Sequence, residues 1–258
     1  MMDMFHARLA GSTRSRSAHD QVVNGIGRGI VEGRYPVGQT LPGDADLMER
    51  FGVSRTALRE GLKTLAAKGL IESKTRVGTR VLEEKSWNLF DADILSWRLQ
   101  QGADKPFLES LFEIRQALEP LAAAAAAHAR SEDDLARIRE ALERMFQEHH
   151  SRESFTLADV AFHRAVLDAS GNPFLQSMGT VIEAALAVAF ALSAPIDDPA
   201  RFEQAGRQHR AVLDALVRRD PQGASRAMSA CILQGAKDAG IHRGRAPSVD
   251  VAVKLYGH

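Results

Sequence analysis

Asp159 and His163 stand four residues apart in SFTLADVAFHRAVLDAS, whose apolar stripe is Phe155, Ala158, Phe162, Val166 and Ala169. On a helix, that spacing sets both polar side chains on the apolar face together. A carboxylate and an imidazole there are costly unless paired or bound to something. His209 falls within a second stripe (Phe202, Ala205, Val212, Leu213, Leu216), and Cys231 lies beside a third (Ala224, Ala227, Met228, Ile232). Arg115 shares a face with Leu108, Leu111, Phe112 and Leu118. Four segments thus aim polar or metal-capable side chains at one interior, and Asp and His donors suit a divalent transition metal. Each has a plainer alternative. Asp159 and His163 make a buried ion pair, Arg115 pairs with Glu119 one turn along, His209 is a satisfied core histidine, and Cys231 is a small buried hydrophobe.

The elements that must position these residues are helices. After residue 104 the chain is rich in Ala, Leu, Glu and Arg and has almost no strand signal. Gly102, Ser131, Gly171-Asn172-Pro173, the stretch from Pro195 to Pro199 and Asp220-Pro221 cut it into six or seven helices, an all-α bundle. Pro120 falls inside a helix over 107–130 and is expected to kink it. The run of six alanines from Ala122 implies close helix packing.

Residues 41–81 have a different organisation: a helix, a tight turn, a second helix and a two-stranded hairpin. That is a winged helix-turn-helix, which places one helix in a DNA major groove. Gly52 closes the first helix, Ser54 is the N-cap of the second, and Gly69 ends it. Ala57, Leu58, Gly61, Leu62 and Leu65 face the core. Arg55, Thr56, Arg59 and Lys63 present donors to phosphates or guanine edges. Residues 71–74 and 79–82 flank a Thr75-Arg76-Val77-Gly78 turn.

The pattern Gly33, Pro36, Gly38, Leu41-Pro42, GVSRTALRE and Gly78 resembles the GntR family of bacterial transcription regulators. By that resemblance Ser54, Arg55, Thr56 and Arg59 contact the operator, and Gly78 brings the wing tip close to the minor groove. The chain departs from many relatives at Ala45, where they place an arginine that contacts DNA. DVAFHRAVLDASGNPFL resembles the FCD ligand-binding domain of the FadR-like subfamily, whose metal-containing members use one Asp and three His. Asp159, His163 and His209 match three of those ligands, and Cys231 stands in the place of the fourth. A thiolate there favours zinc; otherwise water or effector completes a three-ligand site. Arg115 matches an arginine of the family's effector pocket, suited to clamp a carboxylate by two parallel hydrogen bonds. Asn172 sits in the family's Gly-Asn-Pro turn, as a helix terminator first and an effector contact second. WNLFDADILSWRL is most similar to members that respond to sugar acids, notably the galactonate regulators.

Composition agrees with a divided chain. Formal net charge is +0, but residues 1–82 carry 13 Lys+Arg against 8 Asp+Glu, and the rest 20 against 25. A basic head on an acidic body is the asymmetry expected when one domain touches DNA. One cysteine excludes an intramolecular disulfide and suits a reducing cytoplasm, and no apolar run is long enough to span a bilayer.

The organisation expected is a mobile tail over 1–17, a winged helix-turn-helix over 18–84, a linker and first effector-domain helix over 85–103, an all-α effector-binding and dimerising domain over 104–240, and a mobile tail over 241–258. The function implied is a cytoplasmic, homodimeric repressor. It leaves a palindromic double-stranded operator when a sugar acid or similar hydroxy-carboxylate binds a zinc-containing pocket. Two alternatives stand beside it: a regulator that senses the metal itself, and a metal-dependent enzyme. The second lacks an HExxH-type or paired-carboxylate arrangement to supply a general base. The aminotransferase-like branch of the family is excluded by length.

Overall fold

A computed structural model describes residues 17–74, 78–102, 104–147, 151–192 and 195–241. Apart from Ser17 and Ile241, the two terminal tails lie outside the described residues, as do Thr75, Arg76 and Val77 of the hairpin turn. The chain forms two compact units, Met1–Ala103 and Asp104–His258.

The first unit comprises α1 (Ala18–Val31), α2 (Asp44–Phe51), α3 (Arg55–Ala67), β1 (Ile71–Lys74), β2 (Gly78–Val81) and α4 (Ala92–Gln100). Ser17 starts α1 with a capping box closed by Asp20. Gly52, at φ +62°, gives the left-handed turn that ends α2, and the Ser54 hydroxyl then accepts from the Ala57 amide at 3.3 Å to begin α3. Leu58, Gly61, Leu62 and Leu65 are buried along one face of α3, with Ala57 packed at their margin. The strands pair antiparallel, Ile71 opposite Val81 and Lys74 opposite Gly78. A bridge from Thr40 to Arg80 fastens the preceding loop to the wing.

The segment 85–103, expected as linker and first effector-domain helix, packs elsewhere. Ile94 and Trp97 of α4 are buried in the core of the first unit. Gly27 of α1 makes room for the Trp97 indole, which a Cβ there would strike. Lys68 adds an ion pair to Asp91 at 2.6 Å and to Asp93 at 2.8 Å. The sequence leads one to expect a helix in this segment but not its partner, because apolar residues do not name the surface that covers them.

The second unit has seven α-helices among the described residues: α5 (Lys105–Ala129), α6 (Glu132–Met145), α7 (Arg152–Ala169), α8 (Pro173–Ser177), α9 (Gly179–Leu192), α10 (Pro199–Val217) and α11 (Pro221–Asp238). Their starts are written in the sequence. Ser131, Ser151, Asp198 and Asp220 cap with side-chain oxygens, the last two followed directly by proline. α5 runs continuously through Pro120. Its alanines 122–127 are all buried, because α7 and α11 pack against it closely enough to leave no room for larger side chains. No helix among the described residues is long and apolar enough to cross a membrane.

Candidate functional site

On the first unit the candidate site is the outer face of α3. Ser54, Arg55, Thr56, Arg59 and Lys63 are exposed there. Lys63 reaches Glu60 at 2.8 Å across open solvent, a pair weak enough for a phosphate to displace. Gly78 opens β2 at φ +99°, where a Cβ would come within 2.9 Å of the Thr40 methyl. Arg80 was not singled out from the sequence. Its Nε donates to the Gly38 carbonyl at 2.8 Å and ties the wing to the loop before α2. Ala45 is exposed between Asp44 and Asp46, so the start of α2 carries no basic side chain.

In the second unit, α5, α7, α10 and α11 bring Arg115, Asp159, His163, His209 and Cys231 to the wall of one cavity of about 50 Å³. All five are buried. The ligand-capable atoms of His163, His209 and Cys231 lie within 4.8 Å of one another, a group that could hold a metal ion. His209 donates Nδ1–H to the Ala205 carbonyl at 2.8 Å. Its Nε2 lies 2.9 Å from Oδ1 of Asp159 and 3.4 Å from Sγ of Cys231. His163 contacts Glu119 through Nδ1 and turns Nε2 inward, 3.8 Å from Oδ2 of Asp159. That oxygen is buried and has no hydrogen-bond partner among the described residues.

The electrostatics follow from crowding these groups in one buried place. Burial opposes ionisation of Glu119, yet Arg115 and His163 hold its carboxyl down at about 2. Burial likewise disfavours a charged His163, but Glu119 and Asp159 push it up to about 9. His209 is raised well above the ordinary imidazole range against its burial, by Cys231 and Asp159. Burial would push the Cys231 thiol up, and His209 and His163 bring it down to about 7. Asp159 is lowered against its burial by the same two imidazoles. A thiol that ionises near neutrality, two imidazoles aimed at one point and an orphaned carboxylate oxygen form a donor set that fits a divalent ion.

Arg115 lines the cavity with its Nε held by Oε1 of Glu119 at 2.6 Å. The pairing expected as its plain alternative is therefore present, and it coexists with a place on the cavity wall. Asn172 is not brought there. Its Oδ1 caps α8, accepting from the Phe174 amide at 2.9 Å, and it is absent from the cavity lining. A short polar side chain before Pro173 is consumed by the helix start, which overrides a role as an effector contact.

The sequence reading missed four further residues of the cavity lining, Arg201, Gln208, Gln234 and Asp238. Arg201 Nε lies 3.3 Å from Asp238 Oδ1, and Gln234 donates to the same oxygen at 3.0 Å. A signal existed: Cys231, Gln234 and Asp238 follow one another at helical spacings of three and four.

Residues 18–81 match the bacterial regulatory proteins of the gntR family, and residues 110–234 match the FCD domain. The galactonate operon transcriptional repressor of Escherichia coli (strain K12) is 36% identical over 208 residues, 81% of this chain and 90% of that protein. The probable D-xylose utilization operon transcriptional repressor of Paenarthrobacter nicotinovorans is 31% identical over 88% of this chain and 89% of its own. The Glc operon transcriptional activator of Escherichia coli (strain K12) is 30% identical, covering 80% and 82%. Among solved structures, Lar, which controls expression of the Listeria monocytogenes agr system, superposes with a TM-score of 0.61 at 18% identity. It spans 88% of this chain and 99% of that one, a likeness of fold. These relatives are regulators and not enzymes, which sets the metal-dependent enzyme aside. The chain belongs to the gntR family of bacterial regulatory proteins, as a transcriptional regulator whose winged helix-turn-helix is followed by an FCD domain.

Proposed function

We propose that this regulator is a dimeric, cytoplasmic repressor, released from a palindromic operator when a hydroxy-carboxylate enters the α5–α7–α10–α11 cavity. The observation that carries the proposal is the convergence of Arg115, Asp159, His163, His209 and Cys231 on one small buried space. A purely structural core has no use for five such groups, each of which costs desolvation.

Asp159, His163, His209 and Cys231 would hold a divalent ion, zinc best suited to the mixture of nitrogen, oxygen and sulfur donors. When bound, that ion supplies a Lewis-acidic point that attracts a carboxylate and its α-hydroxyl. Arg115, whose Nε is already fixed by Glu119, offers its terminal nitrogens to a carboxylate. Gln208, Gln234, Arg201 and Asp238, which also line the cavity, would supply donors and acceptors for hydroxyls along the ligand. A sugar acid carries both a carboxylate and a row of hydroxyls to match these groups. The name of the galactonate operon repressor favours that class over a short acid such as lactate.

Release requires the acid to bind one arrangement of the helices better than another, by about 1–3 kcal/mol for typical coupled sites. Two heads on one two-fold axis then lose simultaneous purchase on the half-sites.

The test is a thermal-shift panel of galactonate, gluconate, arabinonate and lactate, before and after chelation, followed by operator binding with each hit. A ligand of the native state raises the melting temperature by mass action. A shift with a sugar acid that chelation removes, accompanied by loss of operator binding, supports the whole reading. Shifts indifferent to chelation would discard the metal. Operator affinity that follows zinc alone would replace the organic effector with the metal as signal, and tighter operator binding with acid would make the protein an activator.

A further inference from the structure

Glu119 lies one helical turn beyond Arg115 on α5, is almost fully buried, and divides its two oxygens between two different partners. Oε1 accepts from Arg115 Nε at 2.6 Å. Oε2 contacts Nδ1 of His163, which belongs to α7. An ionised carboxylate only accepts, so His163 must carry its proton on Nδ1 in that contact. The nitrogen left over is Nε2, the one that faces Asp159 and joins the group with His209 and Cys231. His209 is fixed in the same sense by a different device, its Nδ1 donating to the Ala205 carbonyl. Both imidazoles are therefore held by Nδ1 and present Nε2 to one point. Only for His163 is the holder also the group that holds Arg115.

We infer that Glu119 is a positioning residue that couples the metal-holding imidazole of His163 to the carboxylate-holding guanidinium of Arg115. The inference rests on the proposed metal-and-carboxylate pocket and adds a residue which that reading does not need. Had Glu119 served only to neutralise Arg115, both its oxygens would be free to face the guanidinium. Instead, one carboxylate fixes the ring and tautomer of a ligand and the orientation of the clamp. A shift of Glu119 caused by occupancy of either side is felt at the other. Linkage makes this reciprocal: zinc strengthens binding of the acid by the same factor as the acid strengthens binding of zinc.

The experiment uses full-length Glu119→Gln and Glu119→Asp beside wild type and His163→Ala. Zinc affinity is read by competition with a chromophoric chelator, galactonate affinity is measured with and without zinc, and the Nδ1–H of His163 is read from long-range ¹H–¹⁵N spectra. Loss of an outer-shell carboxylate of this kind typically weakens metal binding ~10–100-fold, and Glu119→Gln should fall in that range. It should also lose the His163 Nδ1–H signal and the dependence of galactonate affinity on zinc. Glu119→Asp keeps a charge beside Arg115 but draws back from His163. It should stay folded and still lose about tenfold in zinc affinity, so it decides the matter if Glu119→Gln fails to fold.

Zinc affinity within about twofold of wild type in a folded variant, with the His163 signal unchanged, would overturn the inference and leave the metal site standing. Wild type and His163→Ala equally indifferent to zinc would overturn the metal site, and the role of Glu119 with it.

Discussion

Nε2 of His209 lies 2.9 Å from Oδ1 of Asp159, while the second oxygen of that carboxylate is buried without a hydrogen-bond partner among the described residues. The contact uses the ring nitrogen that a metal would need, because Nδ1 of His209 is already donating to the Ala205 carbonyl. His163 and His209 are raised, and Asp159 and Cys231 lowered, by one another's charges against the burial they share. A cation bound at the proposed site would displace protons from these groups.

Zinc affinity should accordingly rise with pH. His163 reaches about 9 and His209 is also raised, so each must give up its Nε2 proton to become a ligand. Cys231, at about 7, is largely thiolate above neutrality. Each proton released makes apparent affinity rise up to about tenfold per pH unit, and the rise should continue to about pH 9. Chelator competition at about pH 6.5, 7.5 and 8.5 measures it. A flat profile would contradict imidazolium side chains in the metal-free site. The stability sign for His163 in the metal-free protein is the opposite. A raised pKa contributes stability that is full below about 6.5 and is lost as pH climbs through about 9.

Cys231→Ser separates a ligand from core filling. The thiol is buried at 3.4 Å from Nε2 of His209, and serine is close to it in size but does not ionise near neutrality. Zinc affinity should drop at least ~10-fold, since the thiolate is the stronger donor, with little change in melting temperature of the metal-free protein. Unaltered zinc affinity would assign Cys231 to packing.

Arg59→Ala and Arg55→Ala should each weaken specific operator binding without unfolding the head, because both side chains are exposed on α3. An arginine reading a guanine edge is worth about 1–3 kcal/mol of affinity and relaxes specificity at one base position. Lys63→Ala, if Lys63 donates to a phosphate as proposed, should weaken all sequences alike and lower the salt slope by about 1. Binding curves on operator and random DNA at several salt concentrations distinguish the two behaviours.

Gly27→Ala tests the packing of α4. The methyl would run into the Trp97 ring, which is buried in the head. Overpacking a filled site costs about 1–3 kcal/mol, so chemical denaturation followed by tryptophan fluorescence should show an earlier transition. A midpoint equal to wild type would mean that α4 is free to move off α1.

Much of this was legible from residue spacing. The i, i+4 pair Asp159 and His163, with His209 and Cys231, pointed inward because helical periodicity fixes which face a residue occupies. Gly52, Ser54 and Gly69 marked helix ends because only certain residues satisfy a left-handed turn or an orphan amide. Long-range contacts between elements were not legible. Glu119 looked like Arg115's intrahelical partner, and its second contact, to α7, depends on how two helices cross. That Gly27 makes room for Trp97 likewise depends on which helices meet, which spacing does not give. Asn172 looked first like a helix terminator, and its side chain does cap the helix that starts at Pro173.

Arg115→Lys tests the proposed carboxylate clamp separately from the proposed metal site. The Arg115 Nε is engaged by Glu119 at 2.6 Å, which leaves the terminal nitrogens to a ligand in a fork that lysine does not have. The substitution retains a positive charge beside Glu119, so the buried carboxylate stays compensated and zinc affinity should change less than about threefold, well short of the outer-shell range. Galactonate affinity should fall by about 1.5–3 kcal/mol, the worth of a hydrogen bond to a charged group. Operator binding in the absence of acid should match wild type. Calorimetry of zinc and galactonate, paired with a galactonate titration of the operator complex, gives all three quantities on one preparation. Normal galactonate affinity in this variant would move the carboxylate to another cation on the cavity wall, and Arg201 is the residue placed to receive it.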